Sequence, residues 1–527
     1  MDLDRLLLER RIDQVLAPWA GGAGPGLTVG LVQGGALVAH RSAGLANIEH
    51  GVPIGTQTRF RIASVSKQFT CAAILLLAHE GRVSLEDPAR MHLPELPDQG
   101  ITIAQLMHNT SGLRDMLEIQ RQGGADLGVP VSAAALLEGI CRQRSLNFIP
   151  GSRFLYSNSN FLLLGLIVER IEQAPLETVL ERRIFGPLGM TMTRHTPDPL
   201  TVVPDLATGY VPRGEGWGRA AHAFALGGEG GLVSGVIDLA LWQRSLASGR
   251  LGAGRLAPAL ARQTPFLNGT ENRYARGQIV REYRGHRTVS HSGLWPGFKT
   301  EFLMVPALDV AVIAISNAGN SDPGLAAQQV LDAVLETAPG TLPPVPLPDA
   351  ETLRGLAGRY LDPVATATLD IGLDASGAPT LTSNGLTVTA VALADGRLAS
   401  PRSSSVLAVR RDDRGIEVEQ DAGHVSHWRR VPDGALLPAG LAGTYRSPEM
   451  AATWTVDEGF VRSSGPVAAG GAWPIEAVED DVFRVFVPGT LFRAWLDVRV
   501  VRAAGAVVAL EVNGGRARRV RYDRVAG

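Results

Sequence analysis

A proline-rich run at residues 339–348 is the feature that most constrains how this chain can fold. Residues 341–348 read Thr-Leu-Pro-Pro-Val-Pro-Leu-Pro, with four prolines in eight positions. Proline has no backbone N–H and holds φ at about −65°, so such a run cannot continue a helix or enter a central strand. It predicts an extended, semi-rigid linker between two parts of the chain that fold separately.

Residues 1–338, before this linker, mix strand and helix patterns. A hairpin pattern occupies residues 27–39, helix-type spacing dominates residues 101–190, and strand patterns return from residue 287. Strands at both ends with helices between them are typical of an α+β domain, in which an antiparallel sheet flanked by helices pairs its terminal segments.

The remainder of the chain, after residue 348, contains mostly short strand patterns and an internal duplication. Leu-Ala-Gly-Arg-Tyr at 356–360 returns as Leu-Ala-Gly-Thr-Tyr at 441–445. A strand-rich repeat of roughly ninety residues has the size of a small β-barrel. We therefore expect two antiparallel β-barrel domains, at residues 349–433 and 434–527.

The charge balance argues against nucleic acid and membrane partners. A formal net charge of −2 leaves no basic footprint, and no apolar stretch reaches the length of a membrane span. Residues 1–12 mix charges with leucines at helical spacing, which predicts an amphipathic helix rather than a signal peptide. We therefore expect a cytoplasmic location, with a periplasmic one only if a leader was removed. The two cysteines cannot form a disulfide framework. The oligomeric state stays open, a homodimer included.

Ser64 and Lys67 lie three residues apart at the start of an apolar helical run, 71–78. Residues at this spacing share one face of a helix. A serine hydroxyl needs a neighbour that takes its proton, and a lysine amine desolvated by apolar neighbours titrates low enough to do so. The pair therefore predicts the S-x-x-K arrangement of serine acyl-enzymes.

The use of basic residues supports a chemical role for Lys67. Only two of the 50 lysines and arginines are lysines, Lys67 and Lys299. Arginine stays charged in proteins, whereas lysine can become neutral. A solvated lysine at a helix start is the structural alternative.

Tyr156 and Asn158 precede another apolar helical run, at residues 161–171. A tyrosine beside a charged lysine has a lowered pKa, so we expect Tyr156 to accept the serine proton and return it to a leaving amine. Asn158 can hydrogen-bond both Lys67 and a substrate amide. A tyrosine in a structural loop is the alternative for Tyr156.

His291, Gly293 and Leu294 begin the second strand region. We expect His291 to line a cleft opposite Ser64, and Gly293 to let substrate backbone approach closely. The backbone N–H groups of Ser64 and Leu294 would then form an oxyanion hole. The histidines show no metal-binding spacing such as H-E-x-x-H, so we expect no metal and no cofactor.

The three motifs Ser64-Val65-Ser66-Lys67, Tyr156-Ser157-Asn158 and His291-Ser292-Gly293 resemble, in this order, the penicillin-recognising serine hydrolases related to class C β-lactamases and D,D-carboxypeptidases. The likeness covers roughly residues 1–338 and implies their fold and an acyl-enzyme on Ser64. His291 replaces the lysine of the β-lactamase K-T-G motif, which argues against β-lactam hydrolysis.

Within that family, the stretches 64–72 (Ser-Val-Ser-Lys-Gln-Phe-Thr-Cys-Ala) and 111–115 (Ser-Gly-Leu-Arg-Asp), together with two barrels after the catalytic domain, resemble the bacterial D-aminopeptidases. This likeness implies release of N-terminal D-residues from small peptides or amides. In such enzymes a loop of the third domain enters the cleft, and here the candidate is 486–492. We expect the barrels to shape the cleft without joining the chemistry. The alternatives are an esterase or broad amidase of the same fold, and a penicillin-binding-like receptor without turnover.

Overall fold

The computed structural model describes residues 5–393, 395–400, 407–420, 424–432, 434–457, 459–489 and 494–526. The helices are, in chain order, α1 (Arg5–Leu16), α2 (Lys67–His79), α3 (Ala89–His92), α4 (Ile103–Met107), α5 (Met116–Gln122), α6 (Ala133–Cys141), α7 (Asn158–Glu172), α8 (Leu176–Leu180), α9 (Gly186–Leu188), α10 (Val236–Ser248), α11 (Leu256–Leu260), α12 (Pro323–Leu335) and α13 (Ala350–Leu356). In the described parts of the chain, no helix is long and apolar enough to cross a membrane.

A six-stranded antiparallel sheet organises the part before the linker. The strands of this part are β1 (Leu27–Gln33), β2 (Ala36–Ala43), β3 (Leu45–Asn47), β4 (Val52–Pro53), β5 (Phe60–Arg61), β6 (Arg194–His195), β7 (Tyr210–Arg213), β8 (Gly216–Arg219), β9 (Leu232–Ser234), β10 (Ile279–Tyr283), β11 (His286–Trp295), β12 (Phe298–Val305) and β13 (Val310–Ser316). The spatial order of the large sheet is β10-β11-β12-β13-β1-β2. Leu27 pairs with Ser316, so the two ends of this segment meet as the sequence predicts.

Both faces of this sheet are covered by helices. On β13, Val312 belongs to the core formed with α1 and α12. Ile313 and Ile315 of the same strand belong to the larger core formed with α2, α7 and α10. Successive residues of a strand point to opposite faces, which explains why every residue of β13 is buried and apolar or small. The larger core carries the turn and helix that hold Ser64 and Lys67.

Two strand-rich units follow the linker. Their strands are β14 (Gly358–Asp362), β15 (Ala367–Leu373), β16 (Pro379–Ser383), β17 (Leu386–Thr389), β18 (Val391–Ala392), β19 (Leu398–Ala399), β20 (Leu407–Asp412), β21 (Gly415–Gln420), β22 (His424–Arg430), β23 (Gly443–Ser447), β24 (Ala452–Asp457), β25 (Phe460–Ser464), β26 (Ala469–Glu479), β27 (Val482–Val487), β28 (Ala494–Ala503), β29 (Ala506–Asn513) and β30 (Val520–Arg524). Strands β23–β30 form a closed barrel, whereas β14–β22 form a nine-stranded sheet with β17 and β18 at its two ends. The first unit is thus less closed than the expected barrel.

The duplicated motifs make the same contacts in both units. The Tyr360 hydroxyl donates to the Leu356 carbonyl at 2.9 Å, and the Tyr445 hydroxyl donates to the Leu441 carbonyl at 2.7 Å. The matching tyrosine and leucine positions therefore have a structural role, because each tyrosine ties the chain entering its sheet to the first strand.

Helix α5 docks on the closed barrel. Ile119, on this helix, is 2% exposed and belongs to the same apolar cluster as Tyr445 and Trp454 of the barrel. The Trp454 indole Nε1 donates to the Gln122 carbonyl at 3.0 Å. Nearby, buried Arg114 pairs with Glu449 at 3.0 Å. The barrel is therefore joined to the helical part of the first domain next to the cleft described below.

Candidate active site

One cleft brings together five of the seven residues singled out from the sequence. Its lining contains Ser64, Tyr156, Asn158, Gly293 and Leu294. These residues come from the turn before α2, the start of α7 and strand β11. Lys67 lies directly beneath the lining and contacts Ser64, while His291 lies behind it.

Ser64 sits on a strained turn. Residues Ala63–Ser66 form a single 3₁₀ turn, and Ala63 has φ 47°, a left-handed conformation that is uncommon for a residue with a Cβ. The Ser66 hydroxyl closes the turn by donating to the Ala63 carbonyl at 2.6 Å and is fully buried. Ser64 is the less buried serine and faces the cleft. Strained backbone of this kind is concentrated at functional sites.

The Lys67 ammonium group is held by three acceptors. Nζ donates to Ser64 Oγ at 3.0 Å, to Asn158 Oδ1 at 2.9 Å and to the Glu229 carbonyl at 2.7 Å. Complete burial lowers the pKa of Lys67 to about 7, and the charge of Arg516 acts in the same direction. Lys67 can therefore be neutral near physiological pH while it contacts the serine hydroxyl.

The sequence predicts a lowered pKa for Tyr156, and the structure shows a raised one. Burial raises the pKa of Tyr156, although the neighbouring Ser64 hydroxyl opposes the rise. The prediction was wrong in direction because it counted the nearby lysine charge and not the loss of solvent around the phenol. Tyr156 is a neutral phenol at physiological pH and can donate a proton, while Lys67 is the better resting base.

Asn158 is fixed by Asp115. The Asp115 carboxylate accepts hydrogen bonds from Asn158 N at 2.7 Å and from Asn158 Nδ2 at 2.9 Å. It also caps α5 by accepting from Leu117 N and Glu118 N. With Oδ1 on Lys67 and one Nδ2 hydrogen on Asp115, the Asn158 side chain keeps one donor hydrogen for a substrate.

Glu229 is a cleft residue that the sequence reasoning missed. Its Oε1 accepts from Gly227 N at 2.8 Å, whereas its buried Oε2 has no hydrogen-bond partner among the described residues. Burial raises the pKa of Glu229. The glycines on both sides of Glu229, in the run 227–231, are the sequence feature that could have indicated this part of the cleft. They let the backbone pass close to Thr70 and Phe161.

Gly293 lines the cleft and permits a close approach to the protein's own backbone. A Cβ at this position would lie 2.2 Å from the Ile62 carbonyl oxygen. Only glycine therefore lets β11 reach the turn that carries Ser64. This contact places Leu294 in the cleft lining beside Ser64, where the predicted oxyanion hole would lie.

His291 does not line the cleft as the sequence suggested. The ring is fully buried, its Nδ1 donates to the Ser292 carbonyl at 2.6 Å, and its Nε2 accepts from the Tyr274 hydroxyl at 3.1 Å. Burial lowers the pKa of His291 to about 3, so the imidazole is neutral. Its ring packs against Tyr156 at 5.9 Å between centroids. The pairing with Tyr274 is a tertiary contact that the local motif could not reveal.

The last barrel contributes to the cleft through the loop between β29 and β30, whose residues Gly514, Gly515, Arg516 and Arg518 belong to the lining. The barrel thus places charged groups beside the reacting residues, which goes beyond shaping the entrance. Of the predicted loop 486–492, residues 490–492 lie outside the described residues, so the prediction that it enters the cleft stays a prediction.

Within the described parts of the chain, no group of three or more His, Cys, Asp or Glu side chains is arranged to hold a metal ion. Cys71 is buried in the core of the first domain, and both cysteines are free thiols.

Known proteins are similar to this chain in sequence. The D-aminopeptidase of Cereibacter sphaeroides is 26% identical over 539 residues, which cover 100% of both chains. The D-aminopeptidase of Brucella anthropi is 31% identical over 284 residues, or 53% of each chain.

Two solved structures show the same fold. The octameric penicillin-binding protein homologue from Pyrococcus abyssi matches with a TM-score of 0.57 and 19% identity, over 99% of this chain and 100% of that one. The D-amino acid amidase from Ochrobactrum anthropi SV3 has a TM-score of 0.54 and 22% identity, and the match covers 63% of this chain and 99% of that one. The predicted order of an α+β domain followed by β-barrel units is confirmed. Because residues 8–335, more than half of the chain, match the Beta-lactamase family, this protein belongs to that family of serine hydrolases.

Proposed function

We propose that this enzyme releases N-terminal D-amino acids from small peptides or amides through an acyl-enzyme on Ser64. The single observation that carries the mechanism is the 3.0 Å contact between Lys67 Nζ and Ser64 Oγ, made by a lysine whose pKa burial lowers to about 7. The relatives named D-aminopeptidase, which align along the whole chain, support the substrate class.

The proton steps follow from the pKa values of the cleft. Neutral Lys67 takes the Ser64 proton as the oxygen attacks the substrate carbonyl carbon. The Tyr156 phenol gives its proton to the leaving nitrogen and regains one from Lys67, so the C–N bond breaks and the acyl group stays on Ser64. Water then attacks the ester, passes its proton to Lys67, and releases the acid while Ser64 regains its hydrogen.

The remaining residues position the reacting groups. Asn158 orients Lys67 and offers one N–H to the substrate amide, and the N–H groups of Ser64 and Leu294 would stabilise the oxyanion. His291 acts as a positioning residue, because it contacts Tyr156 and not the cleft. The proposed mechanism uses no metal or cofactor.

A substrate panel tests the proposal. It comprises D- and L-alanine p-nitroanilides, D-alanyl dipeptides, p-nitrophenyl acetate and a chromogenic cephalosporin. We expect the D-alanyl compounds to be hydrolysed fastest by kcat/KM, with steady release after any burst. Fast hydrolysis of the acetate ester without activity on D-alanyl compounds would assign an esterase, and a burst without steady release would assign a receptor.

A further inference from the structure

The loop at residues 514–519 of the last barrel is anchored in the cleft by hydrogen bonds to the first domain. The Arg516 carbonyl accepts from Asp115 N at 3.1 Å and from Asn147 Nδ2 at 3.2 Å. The Arg518 N–H donates to Asn147 Oδ1 at 2.8 Å. Because Asp115 also fixes Asn158, the loop is tied to the same framework that positions Lys67.

The Arg516 side chain lies over the ring of Tyr156. Its guanidinium carbon is 4.7 Å from the ring centroid, and the residue lines the same cleft as Ser64. Among the residues that the structure describes, none accepts a hydrogen bond from this guanidinium or forms an ion pair with it. An arginine presents five N–H donors in a planar fork that matches a carboxylate. Arg516 therefore offers unused donors and a positive charge to a bound molecule.

Two carboxylates of the cleft lining, those of Asp115 and Glu118, are engaged by other groups than Arg516. Asp115 accepts from the backbone and side chain of Asn158, and Glu118 pairs with Arg121 at 3.0 Å. The guanidinium of Arg516 stays charged, so it places a positive charge beside Tyr156 that favours an anionic group on the substrate.

We propose that Arg516 binds the carboxylate of the residue that leaves, so that the enzyme prefers D-aminoacyl dipeptides with a free C-terminal carboxylate over their amides. This inference rests on the proposed function. In a dipeptide the carboxylate belongs to the residue next to the scissile bond, and each further residue moves it by about 3.8 Å. The guanidinium of Arg516 lies against the ring of Tyr156, which lines the cleft with Ser64, so its position suits the carboxylate of a dipeptide better than that of a longer peptide.

The test compares D-alanyl-glycine with D-alanyl-glycine amide, because the two differ only in the charge at the leaving residue. A charge-assisted bidentate contact predicts that the wild-type kcat/KM favours the acid by about tenfold or more. In Arg516→Met the ratio of acid to amide should fall to about one, and Arg516→Lys should keep part of it. The ratio cancels any general effect of Arg516 on the pKa of Lys67.

Arg521→Met is the matched control. Arg521 lies on β30, outside the cleft lining, and pairs with Asp523 at 2.7 Å. We expect this variant to keep the wild-type ratio. An equal loss on acid and amide in Arg516→Met, or an unchanged ratio, would overturn the carboxylate site.

A second readout separates this inference from the proposed function. If no D-aminoacyl compound is hydrolysed, the proposed function fails. The same two compounds can then be compared as protectors of Ser64 against labelling by a fluorophosphonate. Stronger protection by the acid, lost in Arg516→Met, would still support the site, whereas equal protection by both compounds would reject it.

Discussion

At the residue scale, burial decides which groups of the cleft hold protons at neutral pH. Lys67 and Tyr156 are both buried, but desolvation disfavours the charged form of each, so its effect on their pKa values is opposite. The lysine becomes easier to deprotonate and the tyrosine harder. The site therefore pairs a neutral amine that can accept a proton with a neutral phenol that can donate one.

The pH dependence of kcat/KM follows from the lowered pKa of Lys67. Below a pH of about 7 the amine is protonated and cannot take the Ser64 proton, so we expect kcat/KM to rise through this pH and then level off. Lys67→Arg should lose activity by about 100-fold or more, as severely as Lys67→Ala, because a guanidinium stays charged. A Lys67→Arg enzyme with most of its activity would show that position 67 supplies only charge.

Glu229 should affect the pH at which kcat/KM rises. Its charge raises the pKa of Lys67 against the effect of burial. Glu229→Gln removes this charge, so the rise of kcat/KM should move to lower pH, as measured on D-alanine p-nitroanilide. Glu118→Gln is the control, because Glu118 lines the cleft but pairs with Arg121. A profile that stays in place in Glu229→Gln would mean that Glu229 is uncharged beside Lys67.

At the element scale, helix α5 links the reacting residues to the closed barrel. Its first turn is capped by Asp115, which holds Asn158, and its next turn inserts Ile119 into the apolar cluster of the barrel. A seven-residue helix is too short to be stable alone, so tertiary packing must hold it. Loosening the barrel contact should therefore disturb the cleft as well.

Ile119→Ala tests this link. Removing a buried isoleucine side chain costs about 2–5 kcal/mol of unfolding free energy, and urea denaturation would measure it. Ile149→Ala is the matched control, because Ile149 is 71% exposed and should change little. Equal stability of the two variants would show that the barrel does not depend on α5.

Sequence reasoning succeeded where the signal is local. Ser64 and Lys67 form a short motif on one turn, and the strand patterns at both ends of the first domain pair as the order of the elements predicts. It failed where burial or a distant contact decides. The position of His291 behind the cleft follows from its burial and its contact with Tyr274 across the core, and Arg516 reaches the cleft only because the last barrel docks on α5.

At the scale of the whole molecule, the closed barrel completes the cleft. The buried contact of Arg114 with Glu449 and the packing of Ile119 against barrel residues hold the two parts together. The loop that carries Arg516 is part of the same barrel. Stability and substrate choice should therefore be lost together when the barrel is removed.

A chain truncated after residue 435 tests this coupling. We expect it to bind an apolar dye such as ANS and to have a lower Tm than the full chain, because Ile119 and the neighbouring apolar surface become exposed. Any remaining activity should show no preference between D-alanyl-glycine and its amide. A truncated chain with an unchanged Tm and an unchanged preference would show that the barrel does not border the site.

Labelling with a fluorophosphonate followed by mass spectrometry tests directly whether Ser64 forms the acyl-enzyme. We expect one adduct per chain, mapped to Ser64, which is absent in Ser64→Ala and retained in Ser66→Ala, a variant of the buried serine of the same turn. Ser64→Ala should also lose all hydrolysis while keeping its fold by circular dichroism. An adduct or hydrolytic activity that persists in folded Ser64→Ala would show that Ser64 is not the nucleophile.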